Sequence, residues 1–362
     1  MKALVLAGGK GTRLRPITHT SAKQLLPVAN KPILFYGLEA IREAGIREVG
    51  IIVAGPVDQE GSTAAEIYAA VGDGSRWGLQ VTYIPQTAPL GLAHAVKTAQ
   101  PFLQDSPFVM YLGDNLIKDG ITPFVQAFER EKPDAQILLA SVRNPQDFGV
   151  AELNGDHIVR LVEKPKEPKS NLALVGVYLF TSSIFDSVDA IKPSKRGELE
   201  ITDAIQHSID RGLKVRSQVI TGWWKDTGKV EDMLEANRIV LTDLPKRIEG
   251  SVDDATVVEG SVQIGAGARV ERSRLRGPLV IGENSVLQDC YVGPFTSIGA
   301  GCTIDHAEIE HSIVLERSSL RHLGTRIESS LIGRDVEVTM SEARPRAHRL
   351  MVGDSSRVEL AS

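Results

Sequence analysis

The sequence predicts an α/β domain with a mostly parallel sheet at residues 1–242, followed by a parallel β-helix at residues 243–362. Two observations carry this prediction. Short apolar runs alternate with helical stretches as far as about residue 240, which is typical of strand–helix–strand units. After Leu244-Pro245 the helical period disappears, and short β-branched runs recur with glycine between them. A chain of 362 residues is also long enough to bury two separate cores.

The α/β part contains candidate strands separated by candidate helices. The predicted strands are 2–6, 48–53, 79–84, 108–112, 135–142 and 174–180. The predicted helices are one opened by Asn30 and Pro32 that runs to residue 44, and others at 62–71, 92–99 and 121–131. Right-handed crossovers at this spacing give a Rossmann-like sheet, and ligands bind beyond the carboxyl ends of its strands.

The C-terminal part shows a hexapeptide period. The aliphatic residues that recur six apart are Val258, Ile264 and Val270, and then Val292, Ile298 and Ile304. Such a period predicts a left-handed parallel β-helix, in which each coil stacks on the next and shares a continuous core. The period drifts at 272–275 and near 317–323, where we expect irregular coils. A β-sandwich is the alternative, but it would alternate without a fixed six-residue step.

Composition excludes several functional classes. The formal net charge is −5, from 41 basic and 46 acidic residues, so we expect no binding to polymeric nucleic acid or to anionic membranes. No apolar run approaches the roughly 20 residues of a membrane span, and the 4–7 run is too short for a signal-peptide core, which predicts a cytoplasmic protein. Cys290 and Cys302 are too few for a disulfide framework and are expected to be small buried residues.

The first apolar run leads directly into a glycine-rich loop. Gly8, Gly9 and Gly11 allow the backbone to pass close to a phosphate, while Arg13 and Lys23 add cationic donors. This combination predicts a cradle for a triphosphate. The dinucleotide-binding pattern is not met, because Leu14 stands where a third glycine is required, and the P-loop spacing is not met either.

Two aspartates follow predicted strands or turns. Asp114 comes after the apolar run 109–112, which places its carboxylate at a carboxyl end of the sheet. Asp226 lies in a predicted glycine-bounded turn just before a helix. Each aspartate alone is equally well explained as a cap or turn residue. Two carboxylates that converge on a phosphate loop, however, predict Mg²⁺, which is held by a few carboxylates and by substrate phosphates.

Other polar residues offer weaker signals. Glu163 and Lys164 end a strand at a proline, and their types suit sugar hydroxyls and a sugar phosphate. Arg196 offers a further phosphate donor. Gln86 carries an amide that donates and accepts at once, as a pyrimidine edge requires. Taken singly, such residues are usually solvated surface groups.

Together these motifs resemble the sugar-phosphate nucleotidylyltransferases, most closely their long-form thymidylyl branch. The resemblance covers essentially the whole chain. Its motifs are Gly8-Gly-Lys-Gly-Thr-Arg-Leu14, Ser21-Ala-Lys-Gln-Leu-Leu-Pro-Val28, Pro85-Gln86, Leu112-Gly-Asp-Asn115, Val162-Glu-Lys-Pro165, Arg196-Gly-Glu-Leu-Glu-Ile-Thr-Asp203 and Trp224-Lys-Asp-Thr-Gly228. Gln24 followed by Leu-Leu-Pro favours the thymidylyl branch over the uridylyl, adenylyl and guanylyl relatives.

The resemblance implies an enzyme that joins dTTP and glucose 1-phosphate into dTDP-glucose and pyrophosphate by Mg²⁺-assisted in-line attack. The implied catalytic residues are Arg13, Lys23, Asp114 and Asp226, with Asp114 and Asp226 on the metal. The implied nucleotide-binding residues are Leu6, Gly8, Gly9, Gly11, Thr12, Arg13, Gln24, Gln86, Gly91 and Asp114. The implied sugar-phosphate residues are Lys23, Gly149, Glu163, Lys164, Val175 and Arg196. Phe148 departs from the pattern, since an aromatic hydroxyl often precedes that glycine. β-Helix coils commonly pack on copies of themselves, so we expect a homo-oligomer.

Three alternatives remain open at this point. The first is a pyrophosphorylase for UDP-sugars or other NDP-sugars, because a single methyl distinguishes thymine from uracil and contributes only about 1–3 kcal/mol of discrimination. The second is a bifunctional enzyme whose β-helix is an acyltransferase, with His306, His311 or His322 as base. The third is a non-catalytic sensor with the same fold, which the complete set of charged residues disfavours.

Overall fold

The computed structural model describes residues 1–9, 11–155, 157–340 and 348–360. Its contacts divide the chain into two compact units. The first unit comprises Met1–Lys10, Ser21–Leu25 and Ile33–Asp226, and the second comprises Gly11–Thr20, Leu26–Pro32 and Thr227–Ser362. Two short N-terminal segments and one helix thus group with the C-terminal part. The domain boundary after residue 242 stays a prediction.

Strands and short helices alternate through the first 242 residues. The strands are β1 Lys2–Leu6, β2 Pro27–Val28, β3 Lys31–Pro32, β4 Glu48–Ala54, β5 Gln80–Gln86, β6 Phe108–Leu112, β7 Asn115–Ile117, β8 Ala135–Ser141, β9 Gly149–Asn154, β10 His157–Glu163, β11 Leu172–Phe180, β12 Val215–Val219 and β13 Trp224–Asp226. The α-helices are α1 Ile33–Glu43, α2 Thr63–Val71, α3 Leu92–Thr98, α4 Gln100–Leu103, α5 Thr122–Glu131, α6 Ile184–Ala190, α7 Ile201–Asp210 and α8 Val230–Thr242. The 3₁₀ turns are Thr12–Leu14, Ile17–His19, Lys23–Leu25, Ser75–Trp77 and Pro145–Asp147.

The first unit is built on a nine-stranded sheet in the order β10-β9-β11-β6-β1-β4-β5, with β8 paired to β11 and β12 paired to β8. Within the described residues, β10 and β11 run against the other seven strands, so the sheet is mostly parallel, as predicted. From β1 the chain moves to β4 and β5 on one side, and then returns to place β6 on the other. The strand order therefore switches beside β1, and a crevice at such a point is the usual ligand site.

Both faces of this sheet are covered, as a parallel sheet requires. Along β1, Ala3 and Val5 belong to one apolar cluster, whereas Leu4 belongs to the other. Alternate side chains of a strand point to opposite faces, so the continuous apolar run that predicted β1 serves two cores at once. Because this strand is buried, its carboxyl end has a fixed position, and the glycine-rich loop begins there.

The second unit carries the β-helix. Its strands are β14 Arg247–Ile248, β15 Ser251–Val252, β16 Val257–Glu259, β17 Val262–Ile264, β18 Arg269–Glu271, β19 Arg274–Arg276, β20 Leu279–Ile281, β21 Val286–Gln288, β22 Tyr291–Val292, β23 Thr296–Ile298, β24 Thr303–Asp305, β25 Glu308–Glu310, β26 Ile313–Val314, β27 Ser319–Arg321, β28 Ile327–Glu328, β29 Leu331–Ile332 and β30 Glu337–Thr339. They form three parallel sheets of six, six and five strands in the described part of the chain, the arrangement of a left-handed β-helix.

Register between coils explains the drifting period. Ile264 pairs with Ile281, and Ile281 pairs with Ile298, so these coils advance by 17 residues instead of the 18 of three strict hexapeptides. The coil is one residue shorter at one corner, where Val270 and Leu275 are five residues apart in sequence instead of six. This corner contains the irregularity predicted at 272–275.

Both cysteines lie inside the β-helix. Cys290 and Cys302 are buried and form no disulfide, in agreement with the sequence. Burial raises the pKa of the Cys290 thiol to about 11, which keeps it in the unreactive protonated form at neutral pH. Among the described residues, no helix is both long and apolar enough to cross a membrane.

A buried asparagine joins three segments of the second unit. Asn237, on α8, is fully buried, and its Oδ1 accepts hydrogen bonds from the amide of Ala29 at 2.8 Å and from the Ser297 hydroxyl at 2.7 Å. Its Nδ2 donates to the carbonyl of Phe295 at 3.0 Å. Asn30 donates in turn to the carbonyl of Ile298 at 2.7 Å. These bonds hold α8 and the β2–β3 hairpin on β23.

We expect Asn237→Ala to destabilise the protein by about 2–4 kcal/mol, because it removes three hydrogen bonds and leaves their partners, among them the buried Ser297 hydroxyl, without this partner. The thermal unfolding midpoint measures the loss. Asn144 is exposed, and Asn144→Ala is the matched control, with an expected change within about 0.5 kcal/mol. Equal midpoints for the two variants would contradict the role of Asn237.

Candidate active site

The carboxyl ends of β1 and β6 lie side by side at the switch in strand order. The amide of Gly113, just after β6, donates to the carbonyl of Leu6 at 2.9 Å. A Cβ on Gly113 would stand 3.0 Å from that carbonyl oxygen and 3.3 Å from Leu34, so a larger residue here would push the two loops apart. The predicted residues Leu6, Gly8 and Gly9 and the predicted residue Asp114 are therefore brought to one edge of the sheet.

Lys23 connects the two predicted aspartates. Its ammonium makes an ion pair with Asp114 Oδ2 and lies 3.8 Å from Asp226 Oδ1. Lys23 is 7% exposed, which is unusual for a lysine and places its charge in a setting with little solvent. Because both carboxylates converge on one positive charge, the pair has the donor chemistry to face a divalent cation as well.

The charge state of Asp114 follows from its neighbours. Burial on its own raises the pKa of this carboxyl, but the charge of Lys23 and the hydrogen bonds from Lys23 and Asn115 outweigh it, so the pKa is lowered. The carboxylate is therefore ionised at neutral pH, as a metal ligand must be.

Two residues that the sequence reasoning did not assign hold the aspartates in place. Asn115 is 2% exposed, and its Nδ2 donates to Asp114 Oδ1 at 2.8 Å. Its Oδ1 accepts from the indole Nε1 of Trp224 at 2.5 Å. Trp224 belongs to β13, which pairs antiparallel with β7 so that Asp226 lies opposite Asn115. The short β7–β13 ribbon thus sets the spacing of the two carboxylates, and Asp226 ends a strand, where the sequence had predicted a turn.

We expect Trp224→Phe to lower turnover about tenfold, because the indole hydrogen bond that orients Asn115 is lost while the aromatic ring is kept. Steady-state rates of pyrophosphate release measure the effect, with the larger change in kcat and a smaller one in KM. Trp223→Phe, at the neighbouring position, is the matched control and should be near normal. If both variants retained normal turnover, Trp224 would have no positioning role.

Gln24 lies against the glycine-rich loop. Its Nε2 is 3.5 Å from where a Cβ on Gly9 would stand. The side chain is 3% exposed, and its Oε1 accepts no hydrogen bond within the described residues. A buried amide oxygen without a partner is costly, which is consistent with an acceptor kept for a ligand donor.

Gln86 and Gly91 are neighbours at the end of β5. Gln86 Nε2 lies 3.5 Å from the carbonyl of Gly91 and 2.8 Å from His94 Nδ1, so His94 is a further residue that orients the amide. Gly91 has φ +104°, and a Cβ there would stand 2.5 Å from the carbonyl of Leu199. The loop can take this course only with glycine. The predicted pair is therefore brought together, and His94 had no recognisable signal in the sequence.

The predicted sugar-phosphate residues also cluster in part. Gly149 lies opposite Glu163 in the β9–β10 hairpin. Glu163 accepts a hydrogen bond from Arg196 at 3.2 Å and one from Thr202 at 3.3 Å, and Lys164 Nζ lies 3.7 Å from Glu163. Thr202 was not predicted.

Arg196 and Val175 are not simply side chains that point at a ligand. Arg196 also pairs with Glu198 at 3.0 Å and lies 3.6 Å from Glu200, so its charge is compensated by carboxylates. Burial raises the pKa of the Glu200 carboxyl, although a hydrogen bond from Ser194 opposes the shift. The Val175 side chain is fully buried in the core, so a ligand contact from this residue would come from its backbone.

Phe148 occupies the position of the expected aromatic hydroxyl. Its ring packs edge-on against Trp224, with centroids 5.2 Å apart. The ring thus supports the tryptophan that orients Asn115. Phe148 has no hydroxyl to offer a ligand, and its contact with Trp224 is an apolar packing contact.

The remaining predicted loop residues belong to the second unit. Gly11 has φ +60° and begins the 3₁₀ turn Thr12–Leu14, and its carbonyl accepts from the Thr18 hydroxyl at 2.7 Å. Arg13 and Thr12 are exposed. Lys10, within the same motif, lies outside the described residues. The assignment of Gly11, Thr12 and Arg13 to a triphosphate stays a prediction.

Comparisons with known proteins identify the family. The Nucleotidyl transferase family model matches residues 2–243. Glucose-1-phosphate thymidylyltransferases from Streptomyces antibioticus and Streptomyces griseus are 59% and 56% identical, each over 100% of this chain and 100% of the relative. A Bacillus anthracis structure assigned as a glucose-1-phosphate thymidylyltransferase, in complex with a sucrose, aligns with TM-score 0.62 and 36% identity over 68% of this chain and 97% of that one. The chain belongs to the nucleotidyl transferase family, in the group of the glucose-1-phosphate thymidylyltransferases.

Proposed function

We propose that this protein transfers the thymidylyl group of dTTP to glucose 1-phosphate and releases pyrophosphate. The observation that carries the proposal is the Lys23 ammonium held by Asp114 and Asp226 at the switch in strand order. Full-length similarity to two thymidylyltransferases supports the choice of substrates. Self-association and a cytoplasmic location remain predictions from the sequence.

In the proposed reaction, a phosphate oxygen of glucose 1-phosphate attacks the α-phosphorus of dTTP. A new P–O bond forms, the bond to the β-phosphate oxygen breaks, and pyrophosphate leaves with the electron pair. The sugar phosphate is itself the nucleophile, so the protein supplies position and charge. Lys23 is buried beside the reacting groups in this proposal and neutralises charge that builds up on the α-phosphate.

The donor set fits Mg²⁺, since Asp114 is held ionised and the carboxylates of both aspartates face the Lys23 ammonium. When bound there, Mg²⁺ would neutralise phosphate charge and orient the triphosphate. The proposed nucleotide contacts are Leu6, Gly8, Gly9, Gly11, Thr12, Arg13, Gln24, Gln86 and Gly91. The proposed glucose 1-phosphate contacts are Gly149, Glu163, Lys164, Val175 and Arg196, together with Lys23.

Pyrophosphate release with Mg²⁺ tests the proposal, with dTTP, UTP, ATP or GTP each paired with glucose 1-phosphate. We expect the highest kcat/KM with dTTP. Gln86→Ala should raise the KM for dTTP more than it lowers kcat, whereas Gln80→Ala, at the exposed start of the same strand, should change neither. Equal use of UTP would indicate a broad pyrimidine enzyme, and release without any nucleotide preference would contradict base recognition by Gln86. Acetyl-CoA consumption, measured in parallel, tests the acyltransferase alternative.

A further inference from the structure

One corner of the β-helix carries a column of ionisable residues. These residues are Arg272, Asp289, His306 and His322, which directly follow β18, β21, β24 and β27 of one six-stranded sheet. Each has a positive φ between 45° and 55°. The amide of each of the last three donates to a carbonyl of the preceding coil, at 2.9–3.1 Å. The backbone thus places successive side chains one coil apart.

His306 and His322 share a carboxylate. Their rings are 5.3 Å apart between centroids. Asp305 Oδ1 lies 2.7 Å from His306 Nδ1, and Asp305 Oδ2 lies 3.8 Å from His322 Nε2. One donor atom from each of the three residues lies within 4.8 Å of the others, and no other set of three His, Cys, Asp or Glu in the described part of the chain meets this condition.

These donors match a transition-metal ion. Zn²⁺ binds imidazole nitrogen and carboxylate oxygen at about 2.0–2.2 Å in tetrahedral geometry, which leaves donors roughly 3.4 Å from one another. Ligation requires the donors, which lie within 4.8 Å of one another, to move closer, and both histidine side chains are about half exposed and so are not locked by core packing. Mixed imidazole and carboxylate ligation favours Zn²⁺, Cu²⁺ or Ni²⁺ over Mg²⁺ and Ca²⁺.

Asp289 and Arg272 lie on the side of His306 away from Asp305. His306 Nε2, the ring nitrogen away from Asp305 Oδ1, lies 3.9 Å from Asp289 Oδ2. Arg272 holds the Asp289 carboxylate with two hydrogen bonds, at 2.9 and 2.7 Å. A carboxylate behind a ligating histidine orients the ring and makes it a stronger ligand.

We propose that Asp305, His306 and His322 form a site for a divalent transition-metal ion, with Zn²⁺ as its representative. Asp289 is the carboxylate that orients His306. The site shares no residue with the proposed reaction site, and it does not depend on the proposed function.

Zn²⁺ binding by the full chain without an affinity tag tests the site. A chromophoric chelator competes for Zn²⁺, and Mg²⁺ is present in excess so that the carboxylates of Asp114 and Asp226 are occupied. The variants are His306→Asn, His322→Asn and the double variant, because asparagine tolerates the positive φ of these corners. The control is His311→Asn, at another corner with φ 48°, where the imidazole packs on Phe295.

We expect one Zn²⁺ per wild-type chain, at least about tenfold weaker binding in each single variant, and loss of this site in the double variant. His311→Asn should bind like the wild type. Thermal unfolding without metal checks that the variants are folded. The proposal is overturned if the double variant binds Zn²⁺ as tightly as the wild type, if His311→Asn loses as much affinity as His306→Asn, or if the wild type binds none.

Discussion

Replacing Asp226 by asparagine is expected to lower the rate of pyrophosphate release by about a hundredfold or more. The substitution keeps the size of the side chain and removes one of two negative charges that face Lys23. A metal ion held by Asp114 and Asp226 would lose an anionic ligand, and the charge stabilisation at stake amounts to several kcal/mol. The rate is measured at saturating dTTP and glucose 1-phosphate over a range of Mg²⁺ concentrations.

Asp119 provides the matched control for this substitution. It is exposed just after β7 and has φ +63°, a conformation that asparagine also accepts. Asp119→Asn should therefore keep normal activity and normal Mg²⁺ dependence. Near-normal turnover in Asp226→Asn would show that the reaction does not need this carboxylate.

Replacing Lys23 by methionine is expected to reduce turnover on a similar scale, about a hundredfold or more. Methionine preserves most of the packing volume but removes the buried charge between the carboxylates. The exposed Lys192 offers a control, since Lys192→Met removes a positive charge far more accessible to solvent. Wild-type turnover in Lys23→Met would contradict the proposed role of the ammonium.

Lys23→Met also has a signature in stability against pH. In the wild type the pKa of Asp114 is lowered despite burial, chiefly by Lys23, so the carboxylate contributes stability above its ordinary pKa that is lost as the pH falls. Without Lys23 the pKa of Asp114 rises and that contribution shrinks. The gap in thermal midpoint between wild type and variant should therefore widen from about pH 4 to pH 8. A gap that is constant or narrows with rising pH would contradict this linkage.

The strands and helices that could be predicted from sequence are those with a strong local pattern. Strands β1 and β6 were predicted at their observed bounds, because each is a continuous apolar run that is buried on both faces. The hexapeptide period correctly predicted the β-helix. Strand β9 and helices α6 and α7 were not assigned, and for β10 only its end at Glu163 was predicted.

The site was predictable where a motif places a residue at a strand end, as for Asp114 after β6. Its supporting residues were not. The bond between Trp224 and Asn115 joins residues 109 apart in sequence, through strands β7 and β13 of three residues each. Strands this short have no measurable period, so their pairing depends on the surrounding fold. Thr202 was missed because it acts through Glu163, which is 39 residues away in the sequence. His94 lies only eight residues from Gln86, but no motif marks a lone histidine on a helix as the partner of that amide.

Direct attack by the sugar phosphate, with no covalent intermediate on the protein, is tested most directly by the configuration at the α-phosphorus. The wild-type protein is supplied with glucose 1-phosphate and one diastereomer of dTTP that carries sulfur on its α-phosphate. A single in-line displacement predicts a product of inverted configuration. Retention would require two displacements and a nucleophile on the protein, and it would contradict the mechanism built on Lys23, Asp114 and Asp226.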